Sequence, residues 1–191
     1  MLVGVFALQG DVREHLAILN KIGVEAIEVR NPNDLASVDA LILPGGESTT
    51  MSKLIDIFSL RTALVDFASK GKPIFGTCAG MIMLANEVID SASGQQSLGV
   101  MDVGVRRNAF GSQLDSFETD LLFDGSPVSV AFIRAPIVER VGPKVQVLSR
   151  LENGGIVAVR QDNILAVAFH PELTGDPTIH KYFLGMITSN K

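Results

Sequence analysis

The chain has 191 residues, about one domain's worth at the usual ~150 residues per domain. Hydrophobic residues make up 47% before its 18 glycines are counted and charged residues only 19%, against a typical ~45–50% with glycine and ~25%, which excludes a disordered chain. Sixteen Lys and Arg against 21 Asp and Glu leave a formal charge of -5, so neither a nucleic-acid partner nor a membrane surface is expected, and no run of ~18 apolar residues predicts a transmembrane helix.

A single cysteine cannot form an intramolecular disulfide, which fits a reducing compartment and makes the cytoplasm the expected location. Leu2–Leu8 lacks the basic flank of a secretory signal and reads as a buried strand. With Val24–Val29, Ala40–Leu43 and Pro73–Thr77 it belongs to a set of short runs that are apolar on both faces, the pattern of strands covered in a parallel sheet. Between the first two, Asp11 and Glu14 have capping-box spacing, Leu16, Leu19 and Ile22 form an apolar stripe, and Gly23 stands where the helix would end. Ser48–Phe58, Leu60–Lys70 and Ala79–Ile89 are expected helices, the last almost wholly buried, and Ser91–Ser97 has the composition of a mobile surface loop. In the second half Val100–Arg106, Val128–Ile133, Val145–Leu151, Gly155–Arg160 and Ile164–Phe169 read as strands separated by turns such as Asn153-Gly154-Gly155, and Thr178–Thr188 as a final helix. This order predicts one α/β domain over residues 1–191. Its open sheet is mostly parallel with helices on both faces, and antiparallel strands are added in the second half.

Cys78 lies in Gly76-Thr77-Cys78-Ala79-Gly80, between an expected strand and an expected helix. By type alone a lone cysteine is a small buried hydrophobe. Glycines on both sides at a strand-to-helix turn make it a nucleophile elbow with sulfur in place of oxygen, where the helix N-terminus favours negative charge and the Ala79 N–H can serve an oxyanion. Such a nucleophile needs a base. His170 ends the last apolar strand, at the carboxyl edge where open α/β sheets keep their sites, and Pro171 holds Glu172 two residues on, where its carboxylate can orient the imidazole. His15 and His180, in the first and last helices, read as surface or capping residues. Leu43-Pro44-Gly45-Gly46-Glu47-Ser48-Thr49-Thr50 also follows a strand: Gly45-Gly46 can aim a second N–H at an oxyanion, and Ser48 can cap the next helix. It lacks the lysine of a Walker phosphate loop.

These residues resemble the triad-type (class I) glutamine amidotransferases and, within them, the glutaminase subunits of pyridoxal 5′-phosphate synthases. Leu8-Gln9-Gly10-Asp11-Val12-Arg13-Glu14-His15, Leu43 to Thr50, Arg107-Asn108-Ala109-Phe110-Gly111 and Phe132-Ile133-Arg134-Ala135-Pro136 carry the likeness beside the elbow and His170-Pro171-Glu172. The resemblance implies Cys78 as nucleophile, His170 as general base and acid, Glu172 as its orienting carboxylate, and Gly46 with Ala79 as the oxyanion hole. It assigns glutamine binding to Gly46, Glu47, Ser48, Arg107, Ile133 and Arg134, whereas Arg106 reads as a solvated or locally paired charge. No metal and no cofactor are implied, because pyridoxal phosphate is the pathway's product. The implied partner is a separate (β/α)₈ synthase subunit in a large hetero-oligomer, to which ammonia passes through a tunnel. Family members are poorly active until it docks, so the Gly45–Gly46 donor geometry is expected to be incomplete in the chain alone. The alternatives are the glutaminase subunit of another complex, such as imidazole glycerol phosphate synthase, or a non-catalytic assembly module of the same fold.

Overall fold

Parallel strands form the half of the sheet that the first residues build. In the computed structural model, which describes residues 1–109 and 116–188, β1 (Leu2–Phe6), β2 (Glu25–Val29), β3 (Ala40–Leu43) and β4 (Ile74–Thr77) lie in the order β2-β1-β3-β4. β3 and β4 are buried along their whole length, as strands covered on both faces must be. They are joined by α1 (Val12–Lys21), α2 (Pro32–Ser37), α3 (Ser48–Ile57) and α4 (Arg61–Ser69). The chain steps outward from β1 to β2 and then back across β1 to β3, so right-handed crossovers set α1 on one face and α2 and α4 on the other.

The expected helix Ala79–Ile89 is corrected. α5 (Ala79–Leu84) stops after six residues, Ala85 turns to extended backbone, and β5 (Ala85–Ile89) pairs in parallel with β6 (Met101–Arg106). The Met83 and Leu84 carbonyls that would continue the helix accept instead from the Leu98 and Val100 N–H groups. Val88 and Ile89 are β-branched and sit naturally in a ladder, a choice that an apolar run alone does not settle.

The second half adds β7 (Ser116–Phe123), β8 (Ser126–Ile133), β9 (Ile137–Val141), β10 (Gln146–Arg150), β11 (Ile156–Gln161) and β12 (Ile164–Val167). The main sheet runs on as β4-β12-β11-β9-β6-β5, with β10 also on β11. β12 is parallel to β4, whereas β11, β9 and β10 join antiparallel. β8 does not enter this sheet: it forms a two-stranded ribbon with β7, which the sequence reading lacks along with β9, α2 and α6 (Pro171–Thr174). The polar residues within Ser116–Phe123 and Ile137–Val141 hide both strands from a search for apolar runs.

α7 (Thr178–Thr188) buries Ile179, His180, Phe183, Met186 and Ile187, with the Phe183 ring 5.5 Å and the His180 ring 5.7 Å from that of Phe75 in β4. α1 likewise buries His15, Ile18 and Leu19, so the apolar stripe is displaced by one residue from the expected Leu16–Leu19–Ile22. Neither His15 nor His180 is a surface or capping residue; both are 0% exposed. Ser91–Ser97 is irregular as expected, yet it is stitched to α3 and α4. Ser52 Oγ donates to the Gln96 carbonyl and accepts its N–H, and Arg61 donates to the Ser97 carbonyl. Among the described residues no helix is long and apolar enough to cross a membrane.

Candidate active site

Four neighbouring parallel strands, in the order β1-β3-β4-β12, deliver the site at their carboxyl ends. β4 runs directly into Cys78, whose backbone has φ 46° and ψ -101°, a left-handed conformation that costs a non-glycine residue ~1–3 kcal/mol. The Cys78 N–H donates to Val167 O of β12 at 2.9 Å, which fixes the elbow to the strand that carries the histidine. The flanking glycines are needed for close approach: a Cβ on Gly76 would stand 2.7 Å from the Gly80 carbonyl carbon, and one on Gly80 2.1 Å from Leu43 O.

His170, just past β12, is held by its N–H to Ala131 O of β8 at 2.7 Å, the bridge that ties the ribbon to the sheet. Its ring is buried and Nδ1 lies 2.7 Å from Glu172 Oε1, with Asp11 Oδ2 at 3.2 Å. Nδ1 has one hydrogen, and the shorter, fully buried contact to Glu172 takes it. Burial opposes charge on His170. Hydrogen bonds with Asp11, Cys78 and Glu172 override it and push the imidazole up to about 12, so the ring holds its proton while it faces the sulfur. Burial pushes the Glu172 carboxyl up, and the His170 contact pulls it partly back. Cys78 Sγ also lies 3.8 Å from Ile133 O.

Cys78 and His170 open onto a cavity of about 460 Å³. Gly46, Glu47, Ser48, Arg107, Ile133 and Arg134, the expected glutamine-binding residues, all line it. Glu172 stands behind His170, and Ala79 lies under Cys78, buried. Glu47, not Ser48, is the N-cap of α3: its carboxylate accepts the Thr49 and Thr50 N–H groups at 3.0 and 2.6 Å. These bonds outweigh the partial burial that opposes them and hold Glu47 at about 2. Ser48 Oγ accepts from Gln95 Nε2 at 3.1 Å, and Gln95 Oε1 accepts from Arg107 at 2.7 Å, so the loop given no role from sequence anchors two lining residues. Arg106 points away, paired with Asp90 and Glu139, as its reading as a local ion pair anticipates. Phe110 and Gly111 of the Arg107-Asn108-Ala109-Phe110-Gly111 segment lie outside the described residues.

Asp11 is the residue that sequence reasoning misplaces. It precedes α1 but makes no side-chain cap; its carboxylate turns to His170 and its N–H donates to Gly45 O at 3.2 Å. A trans peptide points its N–H opposite to its carbonyl, so the Gly46 N–H faces away from the Asp11 amide. Gly45 itself presses on the imidazole: a Cβ there would lie 2.2 Å from His170 Cε1. Asp11, His170 and Glu172 also offer three potential metal-ligand atoms within 4.8 Å of one another. The shared Nδ1 is already occupied by its proton, which disfavours that use.

A cysteine on a strained elbow, opposite a buried histidine–carboxylate pair at the carboxyl edge of a mostly parallel sheet, is the arrangement by which α/β enzymes can employ a thiol nucleophile. The model of the SNO glutamine amidotransferase family matches residues 5–189, and the chain belongs to that family. It is 55% identical over 185 residues to a pyridoxal 5′-phosphate synthase subunit PdxT of Leifsonia xyli, covering 95% of this chain and 93% of the relative. It is 52% identical over 194 residues to the subunit of that name from Dehalococcoides mccartyi strain BAV1, covering both chains fully. A solved glutamine amidotransferase superposes with a TM-score of 0.92 at 47% identity, covering 97% of this chain and 98% of the other. A putative GMP synthase protein from Thermoplasma acidophilum, at 17% identity and a TM-score of 0.68 over 100% of this chain and 95% of the other, shares the fold.

Proposed function

We propose that this chain is the glutaminase subunit of a pyridoxal 5′-phosphate synthase: it hydrolyses L-glutamine to L-glutamate and passes the ammonia to a synthase subunit. The observation that carries this is the meeting of Cys78 and His170 on one cavity wall, with Glu172 behind the imidazole, in a member of the glutamine amidotransferase family. In this reading the Cys78 proton already resides on His170, and the Sγ thiolate of that pair attacks the side-chain amide carbon. The developing oxyanion is met by the Ala79 N–H and, after the Gly45–Gly46 peptide turns, by that of Gly46. Collapse breaks the C–N bond as His170 returns its proton to the leaving nitrogen, giving ammonia and a γ-glutamyl thioester. Water, deprotonated by the same imidazole, cleaves the thioester to glutamate and regenerates the sulfur nucleophile.

Substrate recognition follows from charge. Free glutamine carries a carboxylate and an ammonium, which Arg107 and the Glu47 carboxylate suit, with Ser48, Ile133 and Arg134 shaping the rest of the cavity. The partner in this reading is a (β/α)₈ synthase in a large cytoplasmic hetero-oligomer. The test is glutamate release by the chain with and without its pyridoxal 5′-phosphate synthase partner. Activation on mixing, abolished by Cys78→Ala, supports the reading; activation by a different synthase, or full activity in Cys78→Ala, overturns it.

A further inference from the structure

Behind the histidine–carboxylate pair runs a buried polar chain that the hydrolysis above does not use. Glu172 gives Oε1 to His170, while its Oε2 is buried without a hydrogen-bond partner. His15 Nε2, from α1, stands 3.6 Å from that oxygen and 3.3 Å from the hydroxyl of Thr77, the residue before the nucleophile. His15 Nδ1 in turn lies 2.9 Å from His180 Nε2 of α7. The side chains of Glu172, His15, Thr77 and His180 are all fully buried, so this is no accident of surface rotamers.

The tautomers can be assigned from chemistry. Burial holds both rings below their ordinary range and therefore neutral, so one nitrogen of the 2.9 Å contact donates and the other accepts. Were His15 Nδ1 the donor, its Nε2 would turn a lone pair on a buried carboxylate oxygen, an unfavourable contact that a bond from the Thr77 hydroxyl at 3.3 Å offsets only in part. With His180 Nε2 as donor, His15 accepts at Nδ1 and its Nε2–H points at Thr77 and Glu172. At 3.6 Å the contact to Glu172 is longer than a hydrogen bond, a state from which such bonds tighten when charge develops at the site.

We infer that His15, with its tautomer set by His180, is a positioning residue that presents Nε2–H to the free oxygen of Glu172 and so fixes the carboxylate and, through it, the His170 ring facing Cys78. The inference rests on the glutaminase reading for its kinetic consequence but not for its geometry. It extends the Cys78–His170–Glu172 row by two histidines contributed by helices at opposite ends of the chain.

The test uses three substitutions in the full chain. His15→Leu removes the donor; His15→Asn reaches only as far as Nδ1; His15→Gln carries an amide N–H out to the position of Nε2. Two readouts are taken: the low-field proton signal of His170 Nδ1–H in the free chain, and glutamine kinetics in the complex with the synthase partner. We expect His15→Leu and His15→Asn to lower kcat about tenfold with KM within twofold and to shift or broaden the low-field signal, and His15→Gln to recover most of both. Should His15→Leu not fold, the Asn and Gln pair decides. Wild-type kcat and an unmoved signal in His15→Asn would overturn the inference, as would equal losses in Asn and Gln. If the unsubstituted complex releases no ammonia, it is the glutaminase reading that fails, and the low-field signal still decides the role of His15.

Discussion

Neutral buried histidines must make this chain sensitive to acid. His180 is lowered to about 4 by burial, opposed only by Asp176, and His15 lies well below its ordinary 6.5 through burial and the neighbouring His180 and His170. In the unfolded chain both rings take up protons as the pH falls through about 6.5. Between 6.5 and about 4 the unfolded state therefore binds more protons than the folded one, and stability falls with pH; above 6.5 this contribution is fully present. From pH 8 to pH 5 the loss from His180 alone is about 2 kcal/mol, and His15 can add at most a similar amount. At a urea m-value of ~2–3 kcal/mol/M the His180 share moves the midpoint by roughly 0.7–1 M. The assay is urea unfolding at pH 8 and pH 5 of the unsubstituted chain and of His180→Gln, whose amide can still donate to His15. The expected result is a pH-dependent drop about 2 kcal/mol smaller in the variant, whatever its stability at pH 8. Parallel drops in both chains would show that His180 is not buried neutral and would refute the argument.

Two further outcomes follow from the cavity walls. Gly45→Ala places a methyl 2.2 Å from His170 Cε1, so the ring must retreat by more than an ångström; kcat for glutamine is expected to fall about 100-fold, and a value within threefold of the unsubstituted enzyme would mean that the ring does not stand against Gly45. Gln95→Ala removes the acceptor that holds Arg107 at 2.7 Å, a charge-assisted bond worth ~1.5 kcal/mol; KM for glutamine should rise about tenfold with kcat within twofold, and a kcat effect at constant KM would detach Arg107 from substrate binding.

What can be read in the sequence is what is local. Cys78 with its two glycines and His170 with Glu172 are each contained in five residues or fewer, so strand, turn and chemistry appear together. His15 and His180 escape that reading because a polar residue is placed on the solvent side by default. Yet His15-Ile18-Leu19-Ile22 repeats at helical spacing as well as any apolar stripe, and admitting a histidine to that face puts it in the core. Asp11 and Ser48 are each assigned the nearest local task, capping a helix. Tertiary partners override those assignments: His170 draws the Asp11 carboxylate, Gln95 takes the Ser48 hydroxyl, and the longer Glu47 side chain reaches the free N–H groups of α3. Ala85–Ile89 is lost for another reason, since a short apolar run carries no period that separates the end of a helix from the start of a strand.

The geometry of the site is set by ladders rather than loops. Thr77 pairs with Val167 in parallel register, and Cys78 extends that ladder by donating to Val167 O, so Cys78 and His170 sit at the ends of two hydrogen-bonded strands. A slip of one residue between β4 and β12 would turn every side chain to the other face and bury the core residues wrongly, so the register that aligns Cys78 with His170 is the one the core already demands. The flanking strands β1 and β3 add the two polar loops, which bind each other through Asp11 N–H to Gly45 O and Glu47 N–H to Gln9 Oε1 at 3.0 Å. Those loop contacts are few, small in energy and close to solvent, whereas the strand contacts are buried and many. Rearrangement is therefore easiest in the Gln9–Asp11 and Gly45–Glu47 loops, whereas the strand register holds the backbones of Cys78 and His170 in place.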